Sequence, residues 1–264
     1  MTFSPGVQAG FAKRAVNLLQ EDSSVIGLTA GGSWLTDEID EFSDLDLTLI
    51  TKNKISDSSE KMKAFAERLG TLLSSFTGEH IGDPRVLICL YDNPLLHVDI
   101  KFLTINEFAS RVESPVVLLD NSGELKKVIG STEAKFPKPD FQWIEDRFWI
   151  WIHYALLKIG RGEYFESFDF FSSLRRLVLG PLLHMKSHSN PRGVRKLEII
   201  SSHEDIKMLK ATLPVYDKHS LLNALNASVT LYRKLRSELF GNDITLNWKA
   251  EESVMLYFNE ISSR

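Results

Sequence analysis

The residues best placed for chemistry are Gly31-Gly32-Ser33 and, past a short acidic stretch, Ser43-Asp44-Leu45-Asp46-Leu47. Alternate side chains of a β-strand share a face, so Asp44 and Asp46 project together while Leu45 and Leu47 turn inward. Two carboxylates on one face make half of an oxygen cage for Mg²⁺, and a glycine turn just ahead of them reads as a cradle for phosphate. The combination points to metal-assisted nucleotidyl transfer. A third acid is expected on a neighbouring strand. Asp99 fits, because in Leu96-His97-Val98-Asp99-Ile100-Lys101-Phe102 the residues His97, Asp99 and Lys101 alternate with hydrophobes.

A Gly-Ser turn, an Asp-x-Asp strand and a lone Asp on a later strand resemble the DNA polymerase β-type nucleotidyltransferase superfamily. Within it the chain is most similar to the bacterial antibiotic nucleotidyltransferases, which adenylylate hydroxyls of aminoglycosides or lincosamides. The motifs occupy roughly the first two-fifths of the chain. The resemblance implies Gly32 and Ser33 on the nucleotide phosphates, Asp44 and Asp46 on metal, and Asp99 as a third metal ligand or as the base for an acceptor hydroxyl. It further implies two Mg²⁺ ions, ATP or another nucleoside triphosphate as donor, and a small-molecule hydroxyl acceptor. One departure stands out: where the superfamily often follows Gly-Ser with Arg and Gly, this chain continues Trp34-Leu35-Thr36-Asp37-Glu38. The triphosphate clamp then falls to Lys101, or to Lys158, Arg161, Arg175 or Arg176 in the second half.

An Asp-x-Asp alone is ordinary at strand ends. An Asp in the middle of an apolar strand is harder to explain structurally, since a buried carboxylate is costly without a cation or hydrogen bonds. The rest of the composition is that of a folded domain: 264 residues, 43% hydrophobic, 25% charged, with a net charge of −4. That charge disfavours a polynucleotide substrate. The start Met1-Thr2-Phe3-Ser4-Pro5-Gly6 has neither the basic nor the apolar segment of a secretion signal, which predicts a cytoplasmic protein. The longest apolar run, residues 148–157, is far shorter than the ~20 residues of a membrane-spanning helix. The only cysteine, Cys89, falls in the apolar run Val86-Leu87-Ile88-Cys89-Leu90 and reads as a buried core residue.

These motifs require an α+β architecture: an N-terminal mixed sheet of about four strands with helices on one side, then an all-helical bundle. Ser4-Pro5 starts a first helix, and strands follow near residues 25–29, at Asp44-Asp46, around Cys89, around Asp99 and at 116–119. A helix is predicted from the Ser56 to Ser59 caps to about Leu73, with a loop over 78–84 and a short helix over 106–112. The pattern dissolves around Pro137-Lys138-Pro139, which sets the predicted domains at 1–135 and 140–264. In the second half, helices are expected over 141–159, over 166–179 with a kink or restart at Pro181, from an Asp217 cap to Gly241, and over 248–261.

Other constellations favour simpler readings. His184 and His188 are spaced like zinc ligands but lack a nearby third ligand, and read as surface histidines. Arg147 and His153 match the Arg-to-His spacing of RNases built on HEPN helical domains, which often accompany small nucleotidyltransferases, yet they sit in an aromatic helix suited to core packing. The acidic run Asp37, Glu38, Asp40 and Glu41 reads as a solvated loop. Glu145, Glu163, Glu166 and Asp169 are candidates for an acceptor pocket, with exposed helix faces as the plainer role. The rival to the enzyme reading is a regulatory nucleotide-binding module whose helical half serves a protein partner.

Overall fold

The computed structural model describes residues 6–36 and 38–264. The helix start and N-terminal stretch read over residues 1–5, and Asp37 of the acidic run, lie outside the described residues. The chain divides into two compact units, Met1–Phe136 and Pro137–Arg264.

The first unit is α+β. It contains α1 (Gly6–Leu19), β1 (Val25–Ala30), a 3₁₀ turn (Gly32–Thr36), β2 (Leu45–Thr51), α2 (Ser59–Leu69), β3 (Leu72–Gly78), β4 (Asp83–Tyr91), β5 (Leu96–Thr104), α3 (Ile105–Phe108), β6 (Val116–Asp120) and α4 (Glu124–Ser131). The strands form one six-stranded sheet in the order β3-β4-β5-β2-β1-β6. Its central pair, β2 and β5, is parallel, while β1–β2, β1–β6, β3–β4 and β4–β5 are antiparallel. A parallel pair needs a long crossover. Here α2 and the β3–β4 hairpin supply it.

One core joins Phe11, Ala15 and Leu19 of α1 and Met62, Ala66 and Leu69 of α2 to Leu28, Leu45, Leu47, Leu49, Val98, Ile100 and Phe102 of the sheet. Ile50 and Leu103, of opposite parity on β2 and β5, and Ile26, beside the register shift in β1, pack instead with Phe108 of α3 and Leu125 of α4 in a smaller cluster. Strand alternation thus buries one face under α1 and α2 and leaves the other only partly covered.

Two local expectations differ. The helix over α2 is capped by Ser58, which accepts from the Lys61 amide, but it ends at Leu69 and not near Leu73. Residues 72–78 are the strand β3, whose alternation is weak because it lies at the sheet edge, with Leu73 and Phe76 exposed. The helix expected over 106–112 spans only Ile105–Phe108, closed by a Thr104–Glu107 capping box, and α4 has no counterpart among the expected helices.

Every element of the second unit is helical: α5 (Phe141–Arg161), α6 (Tyr164–Leu174), a π-helical turn (Arg175–Leu179), α7 (Gly180–Lys186), α8 (Leu197–Ile200), α9 (His203–Lys210), α10 (Lys218–Leu239) and α11 (Trp248–Ser263). Asp217 caps α10 by accepting from the Ser220 amide, as its sequence suggests. Pro181 neither breaks nor restarts the helix. It has no N–H for the preceding turn, and the backbone widens ahead of it, with the Gly180 amide reaching the Arg175 carbonyl.

Glu145 is fully buried, which removes it from the pocket candidates: it accepts from Trp149 Nε1 at 3.2 Å, Tyr232 Oη at 2.5 Å and the Asn247 amide at 3.0 Å. Arg236 adds charge compensation at 3.4 Å. His184 is also buried, not on the surface: its Nδ1 lies 2.8 Å from Ser189 Oγ, and burial lowers its pKa. His188 is exposed at the end of the helix, so the pair does not form a zinc site.

Asp205, 2% exposed, accepts from Oγ of the α9 cap Ser202 at 2.8 Å and meets Lys186 at 2.9 Å and Lys234 at 3.2 Å. Burial acts to raise its pKa, but the bonds from Lys186, Ser202 and Lys234 outweigh it and hold the carboxyl below its ordinary value. Its stabilisation is therefore present above the unfolded carboxylate pKa and is lost as pH falls through the depressed folded value. Asp205→Asn should lower unfolding stability by about 3 kcal/mol at neutral pH, as breaking a buried ion pair does. In urea titrations the gap to the wild type should close in acid.

Candidate active site

In the parallel β2–β5 ladder, Asp46 is the Cα partner of Asp99 and Thr48 that of Lys101. Residues in register on paired strands project to the same face, and adjacent strands lie about 4.8 Å apart. The buried neighbours Leu45, Leu47, Val98 and Ile100 fix which face that is, and Asp46 and Asp99 are left half-buried on the other. The row continues on both sides. Across β4 and β3, Ile88 is in register with Asp99, and Phe76 with Ile88. Just past β1, the Gly31 amide donates to the Asp46 carbonyl at 2.9 Å.

The Gly-Ser turn therefore closes directly over Asp46. Gly32 has a φ of +59°, and a Cβ there would stand 2.0 Å from Asp46 Oδ2. Only glycine meets both conditions. Ser33 follows in the 3₁₀ turn, where its carbonyl accepts from the Glu38 amide at 3.1 Å. Asp44 precedes the first residue of β2 and is half-buried. Its approach is held from α1: buried Gln8 donates to the Ser43 carbonyl at 2.8 Å and the Asp40 carbonyl at 3.3 Å. Asp40 in turn accepts from the Phe42 amide and Ser43 Oγ, both at 2.9 Å, so this member of the acidic run shapes the loop.

Asp99 Oδ1 lies 2.9 Å from His97 Nε2. A carboxylate only accepts, so Nε2 carries the proton of that bond. Lys101 is drawn to Asp83 at 2.8 Å, where Arg85 also binds at 2.7 Å. Burial acts to raise Asp83, but Arg85 and Lys101 together hold it far below the carboxylate range. Lys158 and Arg161 belong to the second unit, and both engage Glu163, at 2.7 and 3.7 Å. Arg175 donates to the Thr212 carbonyl at 2.9 Å. The structure thus brings Gly32, Asp46 and Asp99 together and gives Lys101, Lys158, Arg161 and Arg175 other partners.

Glu113 has no sequence signal and stands at the same turn. Its Oε1 makes a long 3.5 Å contact with the Gly32 amide, and a Cβ on Gly31 would meet it at 3.4 Å. Arg111 holds this loop by hydrogen bonds to Thr132 Oγ1, Thr132 O and Ile129 O. Cys89 is 1% exposed and burial pushes its thiol up to about 12, which removes it as a nucleophile. Arg147 stacks on Trp143 at 4.3 Å and His153 meets the Tyr257 ring at 5.1 Å, each with a packing partner.

The donor set, carboxylate oxygens beside a glycine turn, has the chemistry of a hard divalent cation site. Two of its carboxylates share a register position. Among the described residues, no group of three or more His, Cys, Asp or Glu is arranged to hold a metal ion, and no helix is long and apolar enough to cross a membrane.

No protein-family model matches the chain. No curated protein matches it. A solved structure of an aminoglycoside 6-adenyltransferase from Bacillus subtilis aligns with a TM-score of 0.42 and 15% identity, covering 96% of this chain and 98% of that one. At that TM-score the overlap is loose, and the functional reading rests on the chain's own geometry.

Gly32→Ala should cost more than the ~1–2 kcal/mol of a left-handed non-glycine residue, because the new methyl also displaces Asp46. Gly82, at φ +80° with no atom within 4 Å of the place a methyl would take, is the control. Thermal unfolding of both alanine variants checks this, and equal losses would show that Gly32 does not confine Asp46.

Proposed function

We propose that the protein is a Mg²⁺-dependent nucleotidyltransferase that moves a nucleoside monophosphate, AMP from ATP, to a hydroxyl of a small acceptor resembling an aminoglycoside or lincosamide. The observation that carries this reading is the in-register placement of Asp46 and Asp99, with the Gly32 turn against Asp46. Asp44 and Asp46 would hold the divalent ions, which when bound neutralise phosphate charge and acidify a bound oxygen, with Asp99 beside them as the base.

The chain's own groups supply the rest. The backbone of Gly31, Gly32 and Ser33 receives phosphate oxygens. His97 holds Asp99 through Oδ1, which leaves Oδ2 to take the proton of the acceptor hydroxyl as its oxygen attacks the α-phosphate and pyrophosphate departs. Ile88 and Phe76, in line with Asp99, offer an apolar strip for the body of a substrate. Glu113 places negative charge at the phosphate cradle.

A second reading is a nucleotide-binding module without turnover, its helical unit serving a protein partner. It is favoured by the engagement of Lys101 with Asp83 and of Lys158 and Arg161 with Glu163.

Pyrophosphate release from ATP and Mg²⁺ with a panel of aminoglycosides and lincosamides separates the two. Asp46→Asn and Asp99→Asn should each lower release on the order of 100-fold or more, with Asp46→Asn also weakening metal-dependent nucleotide binding. Unaltered binding in Asp46→Asn would remove its assigned role. Nucleotide binding without release for any acceptor would favour the module. Glu113→Gln should tighten ATP binding about threefold by removing like charge, read by calorimetric titration.

A further inference from the structure

We propose that a cavity within the second unit, walled by α5, α6 and the π-helical turn, binds an organic ammonium ion carrying an apolar or aromatic body. The cavity has a volume of about 510 Å³, a size suited to a small molecule. The proposal concerns the helical unit alone and does not rest on the nucleotidyl-transfer reading.

The walls are aromatic and aliphatic: Trp151, Tyr154 and Phe170 surround Leu174, while the polar side is contributed by Glu166 and Asp169. Trp151 is set edge-on against Trp143, ring centroids 5.5 Å apart, so this wall is formed before any ligand arrives. Tyr154 Oη donates to Glu166, which fixes that carboxylate beside the aromatic face and raises the tyrosine pKa. No lysine or arginine lines the cavity. Among the nearby cations, Lys158 and Arg161 engage Glu163 and Arg175 donates to the Thr212 carbonyl. Asp169 has no cation partner among the described residues.

Charge and wall chemistry select the occupant. An anion would face two carboxylates with no lysine or arginine in the lining. A neutral apolar molecule would desolvate those carboxylates and return nothing. An ammonium group answers the carboxylates and is attracted to the faces of Trp and Tyr, while its hydrocarbon covers Phe170 and Leu174. The chain already shows one such contact, with Lys158 Nζ lying 5.1 Å from the Tyr154 ring centre.

The test uses the full chain and ligand-observed NMR titration with phenethylamine, a cation at pH 7, against its near-isosteric neutral counterpart 2-phenylethanol. Phenethylamine should bind saturably and about tenfold tighter than the alcohol. Asp169→Asn and Glu166→Gln, both at exposed positions, should each weaken it about threefold, and Trp151→Leu about tenfold. Added salt should weaken the amine and leave the alcohol unchanged. Equal affinity for amine and alcohol, a comparison that needs no variant, would overturn the proposal. So would an absence of saturable amine binding, or affinity unchanged in Asp169→Asn, Glu166→Gln and Trp151→Leu with their folding intact by circular dichroism.

Discussion

Parallel strands that meet in register bring equivalent side chains to one face, and the β2–β5 ladder does this for Asp46 and Asp99. Shifting that ladder by one residue would turn one of the two carboxylates into the core and expose a leucine or valine in its place. The hydrophobic neighbours therefore enforce the chemistry as much as the acids supply it. Leu45, Leu47, Val98 and Ile100 are all essentially inaccessible, and the burial of each, worth about 1.5–3 kcal/mol, outweighs the preference of a carboxylate for any particular neighbour. The remaining parts of the site attach to this pair: the Gly32 turn against Asp46, His97 on Asp99, and Gln8 on the loop that leads to Asp44.

The two units solve the problem of buried charge by the same means. In the helical unit, Glu145 takes four protein partners and Asp205 sits between two lysines and the Ser202 hydroxyl. Each carboxylate is costly to bury and each is fully answered, so both act as fixed points to which several helices are tied. On the sheet, Asp83 is answered by Arg85 and Lys101. Asp46 and Asp99 differ in being half-buried at a face that the helices leave partly open. Charge held near an accessible face, beside backbone amides, stays within reach of a ligand.

Much of the fold is legible in the sequence because its signals are local. The Asp217 cap, the alternation around Asp99 and the helical spacing of the second half each depend on a few consecutive residues. Edge strand β3 escapes this reading, since its outward side chains include Leu73 and Phe76 and carry no clean alternation. The short α3 is misread for a related reason: Arg111 falls within the expected helix but is drawn to Thr132 and Ile129. Glu145 is equally opaque, because nothing in its neighbourhood announces that Tyr232, Arg236 and Asn247 arrive from far along the chain.

The sequence by itself determined that Asp46 would alternate with inward leucines on a strand, that Asp99 would lie on another strand with the same alternation, and that a glycine turn would precede Asp46, whereas Asp44 stands just ahead of its strand. These follow from period-two geometry and from the backbone freedom of glycine. Only the tertiary structure decided that β2 and β5 are neighbours, parallel and in register at Asp46 and Asp99, that Gly32 closes over Asp46, and that Lys101 turns to Asp83. Strand order and register depend on burying several side chains from distant segments at once, and no short stretch of residues contains that information.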